Sequence, residues 1–282
     1  MGTEAEQLWV PPRPAHPPFP PPSAVSRPAP RRTGRRAAAA VCAVLGAGLI
    51  GGAAAGGWLA GQPSGRTAAE AVYERGTTLW ETEPVDRLFP PSVHDATAGP
   101  GGASRDWTRL GVAPDGDCAD AFDPLLAVAL RPAGCKRLLR ATYADATSTR
   151  VTTVGVLVTE ADADGMRALR KRFAAERIGE RTDLLPRPYA PSGTLAERFG
   201  DAQRASWRIA VATDLPLVVY AVTAFADGRP GTPPEPAARA VVPGATTVPA
   251  QAGLGHDATA LAGHVERIFR AAARKGVGEG DR

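Results

Sequence analysis

Two stretches, KRLLRATY at 136–143 and RVTTVGVLV at 150–158, decide the reading of this chain. Before them apolar residues recur at helical spacing. From Lys136 onward they follow period 2, and the second stretch is β-branched and apolar on both faces, the pattern of a strand covered on both sides. The turn-like residues 145–149 join them, so a hairpin is predicted with 150–158 as a central strand.

The order then repeats. EADADGMRALRKRFAAERI (160–178) places Met166, Leu169 and Phe173 on one stripe opposite Arg167, Lys171 and Arg172, which predicts an amphipathic helix over the sheet. WRIAVAT (207–213) alternates Trp207, Ile209 and Val211, and LVVYAVTAF (217–225) is a second buried run. Asp257 is expected to cap a last helix carrying Leu261, Val265, Ile268, Phe269 and Ala272 on one face. Upstream, Asp117 to Asp120 offer a cap and an acidic first turn for a helix with Phe122, Leu125, Leu126 and Ala129. The expected fold class is α+β, a two-layer domain in the order α-ββα-ββα, with an antiparallel sheet and helices on one face. Its bounds are read as 107–275, followed by a disordered C-terminus at 276–282.

Toward the N-terminus, AAAAVCAVLGAGLIGGAAAGGWL runs uncharged from 37 to 59. A helix of that length reaches about 30 Å, enough for the hydrocarbon core of a bilayer. The 36 residues ahead of it hold six arginines and two glutamates, which accounts for the whole net charge of +4. Cations flanking a span stay on the cytoplasmic side. The expectation is therefore one transmembrane helix at 37–61, a signal-anchor, with the N-terminus in the cytoplasm and the folded domain outside the cell membrane. A cleaved signal peptide is the rival reading. Gly48, Gly52 and Gly56 form two GxxxG steps, a candidate helix-helix contact giving a homodimer in the lipid bilayer.

Residues 1–36 hold ten prolines, which favour extended, disordered chain, either a spacer or a PxxP ligand. Residues 62–106 read as a juxtamembrane helix and a Gly/Pro-rich stalk. The basic charge is thus a topology signal, and no basic cluster interleaved with aromatics points to nucleic acid.

Chemistry is thinly signalled. Cys118 and Cys135, 17 apart, are expected to pair as a disulfide, since no CxxC and no nearby histidine suggests a metal or reactive pair. Glu160-x-Asp162-x-Asp164-Gly165 imitates the start of a calcium loop, but the twelfth position, where a bidentate Glu belongs, is Lys171. His256 and His264 lack a third ligand. No phosphate-binding, nucleophile-elbow or zinc-protease motif occurs, and no cofactor is expected. The loop 179–199 carries Leu184, Leu185, Arg187 and Tyr189, side chains suited to a protein partner, with a packed-down structural loop as the alternative.

The Pro/Arg leader, the Ala/Gly-rich run, three lysines against thirty arginines and the two-cysteine domain together resemble the single-pass envelope proteins of high-GC actinobacteria. The resemblance implies this same layout and transfers no site residue. The function expected from it is a non-enzymatic, membrane-anchored component that binds a partner or ligand in the envelope, accessory to a secretion or signalling assembly. An envelope enzyme with an unrecognised site and a transmembrane sensor are the alternatives.

Overall fold

The computed structural model describes residues 66–275, apart from 115, 117, 119 and 120. Its elements are helices α1 (Ala68–Gly76), α2 (Leu79–Thr82) and α3 (Val85–Leu88), strands β1 (Ser92–Asp95) and β2 (Arg105–Val112), helix α4 (Pro124–Leu130), strands β3 (Arg137–Asp145) and β4 (Arg150–Val158), helix α5 (Ala163–Ala175), strands β5 (Ser206–Val211), β6 (Leu217–Phe225) and β7 (Glu235–Pro236), and helices α6 (Ala237–Ala240), α7 (Val248–Gln251) and α8 (Leu254–Lys275).

All seven strands share one sheet in the order β1-β2-β3-β4-β6-β5-β7. Every neighbouring pair is antiparallel except β5 with β7, which is parallel, so the sheet is mixed. The predicted hairpins form as expected, and β4 pairs with β6 from Arg150↔Phe225 to Val158↔Leu217. Every residue of β4 and all but Phe225 of β6 are buried.

That burial needs cover on both faces, which corrects the two-layer expectation. On one face Val154, Val156, Val158, Leu217, Val219 and Ala221 pack under α8 and the α2–α3 segment, meeting Leu79, Phe89, Leu261, Val265 and Phe269. On the other, Leu157, Val218 and Tyr220 pack under α4 and α5, meeting Leu126, Met166, Leu169 and Phe173. A third cluster sits on that second face, where Leu185, Ala196 and Phe199 cover Val151, Trp207 and Val222. The segment read as a juxtamembrane helix and a stalk supplies the α1–α3 helices and β1 to the core, so the part read as flexible stalk is packed. Its first helix carries a capping box, in which Thr67 and Glu70 satisfy each other's backbone amides.

The membrane expectation is also corrected. Among the described residues no helix is long and apolar enough to cross a membrane. The longest, α8, has 22 residues but buries Asp257 within its apolar stripe and carries Glu266, Arg267 and Arg270 off it. Single-pass localisation, the signal-anchor and a transmembrane element of the fold class are therefore not supported. That expectation rested on the uncharged length of 37–61, where Ala and Gly dominate and are only mildly apolar. Residues 37–61, with Gly48, Gly52 and Gly56, lie outside the described residues, as do the proline-rich 1–36 and the tail 276–282.

Asp257 is no cap. It lies inside the first turn of α8, fully buried, with Oδ2 2.6 Å from Arg150 Nε and Oδ1 3.7 Å from Arg105 Nε. Arg150 also pairs with Asp145 at 2.9 Å, and the Asp145 carboxylate accepts the main-chain N–H groups of Thr149 (2.8 Å) and Arg150 (2.7 Å) across the β3–β4 turn. The cluster ties the start of α8 to the tip of the central hairpin. Burial pushes the Asp257 carboxyl above its usual range, and the pull of Arg150 and Arg105 does not cancel it. Burial acts the same way on Asp145, but the Thr147 hydroxyl, the two turn amides and Arg150 outweigh it, so its net shift is downward.

Gly155 opens room for a neighbour. It stands opposite both Arg140 and Tyr220 in the ladder, and a Cβ there would fall within the Tyr220 ring, 2.6 Å from its hydroxyl. The ring lies across the glycine and packs edge-on against Phe122, centroids 5.5 Å apart.

Gly155→Ala should lower stability by about 1–3 kcal/mol in urea unfolding, as overpacking of a closed core does, and a neutral result would contradict the packing described. In a carbon-detected carboxyl titration Asp145 should titrate below the ordinary 3.8 and Asp257 above it. Stability from Asp145 is then present above its ordinary pKa and lost as pH falls through the folded value, whereas the burial of ionised Asp257 costs stability as pH rises past 3.8 through its folded value. The reverse order of the two carboxyls would contradict the geometry.

Candidate functional site

On one side the described sheet ends with β5 and the two-residue β7, so the outer edge of β5 is only half closed. The partner β7 pairs with Ser206 and Trp207 alone. It stops at Pro236, which has no N–H to extend a ladder, and the chain turns into α6. In an antiparallel pair, alternate residues point their main-chain groups at the partner. Ala212 donates to Leu217 across the β5–β6 turn (3.0 Å), so Ala210 and Arg208 also face β6. Ile209 and Val211 face outward. Among the described residues no main-chain group outside the ladder bonds to either of them.

A groove of about 430 Å³ runs along this edge. One wall is α5 and the turn after it, through Arg170, Phe173, Arg177 and Gly179; the other is α8, through Glu266 and Arg270. Each wall is set by the core. Phe173 is fixed in the stripe with Met166 and Leu169, which presents Arg170 at the rim, and Phe269 is buried beside the half-buried Arg270. Trp207 Nε1 donates to the Gly179 carbonyl (3.0 Å) and holds the turn Ile178–Glu180 against the edge. The turn is entered through Arg177 in the left-handed region, φ 51°, a conformation non-glycine residues rarely take.

The charges of the groove do not balance. Arg177 pairs with Glu180, Nε to Oε2 3.1 Å. Arg270 bonds both oxygens of Asp214 at 2.8 and 3.0 Å and reaches Glu266 at 2.9 Å. Its hydrogen bonds pull the Asp214 carboxyl down and push its own guanidinium up. Arg170 and Arg208 have no ion pair among the described residues, and Arg208 Nε is buried without a hydrogen-bond partner. Two guanidinium groups are thus left to attract an anion, and the floor offers free N–H and C=O groups. That combination suits an extended anionic chain better than a small apolar ligand.

The residues singled out from the sequence lie elsewhere. Leu184 and Leu185 are 4% and 3% exposed. Their loop is pinned to the central strands, because the hydroxyls of Thr142 and Thr153 donate to the Tyr189 carbonyl (2.5 and 3.2 Å) and the Tyr189 amide donates to Thr153 Oγ1 (3.0 Å). The Arg187 guanidinium lies 3.6 Å from Asp123 and 3.5 Å from Asp201. Leu184, Leu185 and Tyr189 therefore line the underside of the sheet cover. Cys118 and Cys135 are joined as a disulfide, Cα atoms 6.2 Å apart, beside α4. Asp162 caps α5 by accepting from the Gly165 amide (2.8 Å), and Asp164 pairs with Arg167, so the calcium-like acids serve a helix start. His256 Nδ1 lies 3.1 Å from the Ala98 carbonyl and His94 pairs with Asp106 at 2.7 Å. Among the described residues no three His, Cys, Asp or Glu side chains converge on a metal position.

The groove itself was missed from the sequence. Its one signal is Arg208 within the alternating run 207–213, a long cation at a strand position. No protein-family model, no curated protein and no solved structure matches this chain.

Leu184→Ala and Leu185→Ala should each cost about 2–4 kcal/mol in chemical denaturation, as removal of a buried leucine does. Unchanged stability would return the pair to the surface.

Proposed function

We propose that this chain is a partner-binding protein whose site is the arginine-lined groove along β5. The observation that carries the reading is the coincidence of an unfinished ladder edge with two guanidinium groups, Arg170 and Arg208, that have no ion pair among the described residues. Natural sheets blunt their edges with short strands, prolines, charges or a covering element. Here β7 and Pro236 close the first half of β5, and the second half is flanked by two walls without being covered. Main-chain pairing would supply affinity, and the flanking side chains would supply selection.

The reading is tested by placing a photo-crosslinking residue in the full chain at Ala238, on the groove, and in a second version at Val128, which is exposed on α4. A discrete crosslinked protein is expected from position 238 and not from 128, and it should disappear when Arg170→Glu and Arg208→Glu reverse the groove charge. Equal capture from both positions, or capture indifferent to the reversal, contradicts the proposal.

A further inference from the structure

The same groove also carries the chemistry of its partner, given the binding role proposed for it. We infer that the groove takes an acidic segment of another protein in extended conformation, which adds to the sheet as a strand beside β5.

Three observations converge. Ile209 and Val211 point their main-chain groups into the groove while Arg208 and Ala210 spend theirs on β6. An incoming strand gains up to four hydrogen bonds from those two residues without displacing any main-chain bond among the described residues. The free stretch Arg208–Val211 spans about 13 Å of extended chain, a length that four residues match. The cations then stand on both sides of the incoming strand. Arg208 shares a face with Ala221, its cross-strand partner in the core under α8, whereas Arg170 rises from α5 on the opposite face. Carboxylates on either face of the added strand therefore meet a guanidinium, while Arg177 and Arg270 are already neutralised by Glu180, Asp214 and Glu266.

A second copy of the chain fits less well. Pairing β5 against itself brings the Arg208 of each copy into the same groove with its neighbour's Arg170, and like charges facing across a ladder oppose association. A small organic anion would engage the arginines but leave the four main-chain groups unused.

The test uses the full chain, isotopically labelled, and a capped hexapeptide of sequence Glu-Glu-Thr-Glu-Glu-Thr. Two companions share its length, one with Lys for every Glu and one with N-methyl groups at alternate residues. Fluorescence anisotropy should show binding of the acidic peptide alone, with amide shifts centred on Ile209 and Val211. Arg170→Gln, at an exposed position, should weaken it about threefold, and the pair Arg170→Gln with Arg208→Gln about tenfold. Equal binding of the Lys peptide, full binding of the N-methylated peptide, or shifts away from β5 would overturn the inference. Concentration-dependent protection of Ile209 and Val211 without peptide, with a dimer mass in sedimentation, would assign the edge to a second copy and overturn it as well. If the crosslink at position 238 succeeds and the acidic peptide fails, strand addition falls while the binding groove stands; if that crosslink is absent, both fall.

Discussion

Burying β4 and β6 on both faces is the constraint on which the rest of the molecule depends. A strand sealed on both sides must place every N–H and C=O in the ladder, because no water reaches it. The sheet must therefore extend past these strands in both directions. β3 and β2 do so on one side and β5 on the other. Both faces must also be roofed, which recruits α8 and the α1–α3 segment above, and α4, α5 and the 182–199 loop below. The loop has no ladder of its own, so the threonine hydroxyls of Thr142 and Thr153 fasten it at Tyr189. The ion cluster of Arg150, Asp145 and Asp257 does the same for α8, at the hairpin tip.

The extension on the β5 side is left incomplete by its own chemistry. A residue with no amide hydrogen ends β7 after two positions. The roofs continue past the sheet and become the walls of a groove, so the open stretch of β5 lies recessed between α5 and α8. Recession and the nearby arginines disfavour edge-to-edge pairing of identical molecules, while leaving room for one extended chain of opposite charge. Architecture and proposed function thus meet at the same four residues.

Much of the central sheet is legible in the sequence because its signal is local. The run LVVYAVTAF coincides with β6, and RVTTVGVLV with β4. The same two runs, apolar on both faces, already implied two roofs, so the one-sided arrangement read from element order was at odds with its own strands. β1 and β2 were lost because the Gly, Pro and Ser of 96–104 between them read as stalk, and β1 has only four residues. Asp257 read as a cap because acids near a helix start are common there, and composition does not reveal that an arginine 107 residues earlier reaches it. Leu184 and Leu185 carried the residue types of a binding loop, which are equally those of a core. The membrane reading rested on the length of a weakly apolar run, and the described helices supply none that would cross a membrane. The groove assembles from α5, β5 and α8, segments far apart in the chain, and only pairing register shows which amides of β5 are spare.

The most direct test of this account is native-state hydrogen exchange resolved by residue along β5 in the full chain. The account predicts alternation: Arg208 and Ala210 amides exchange slowly because β6 accepts them, and Ile209 and Val211 amides exchange rapidly because no acceptor among the described residues takes them. Uniform protection of all four would mean that the edge is already closed, and the claim that this sheet holds a vacant strand position would be wrong.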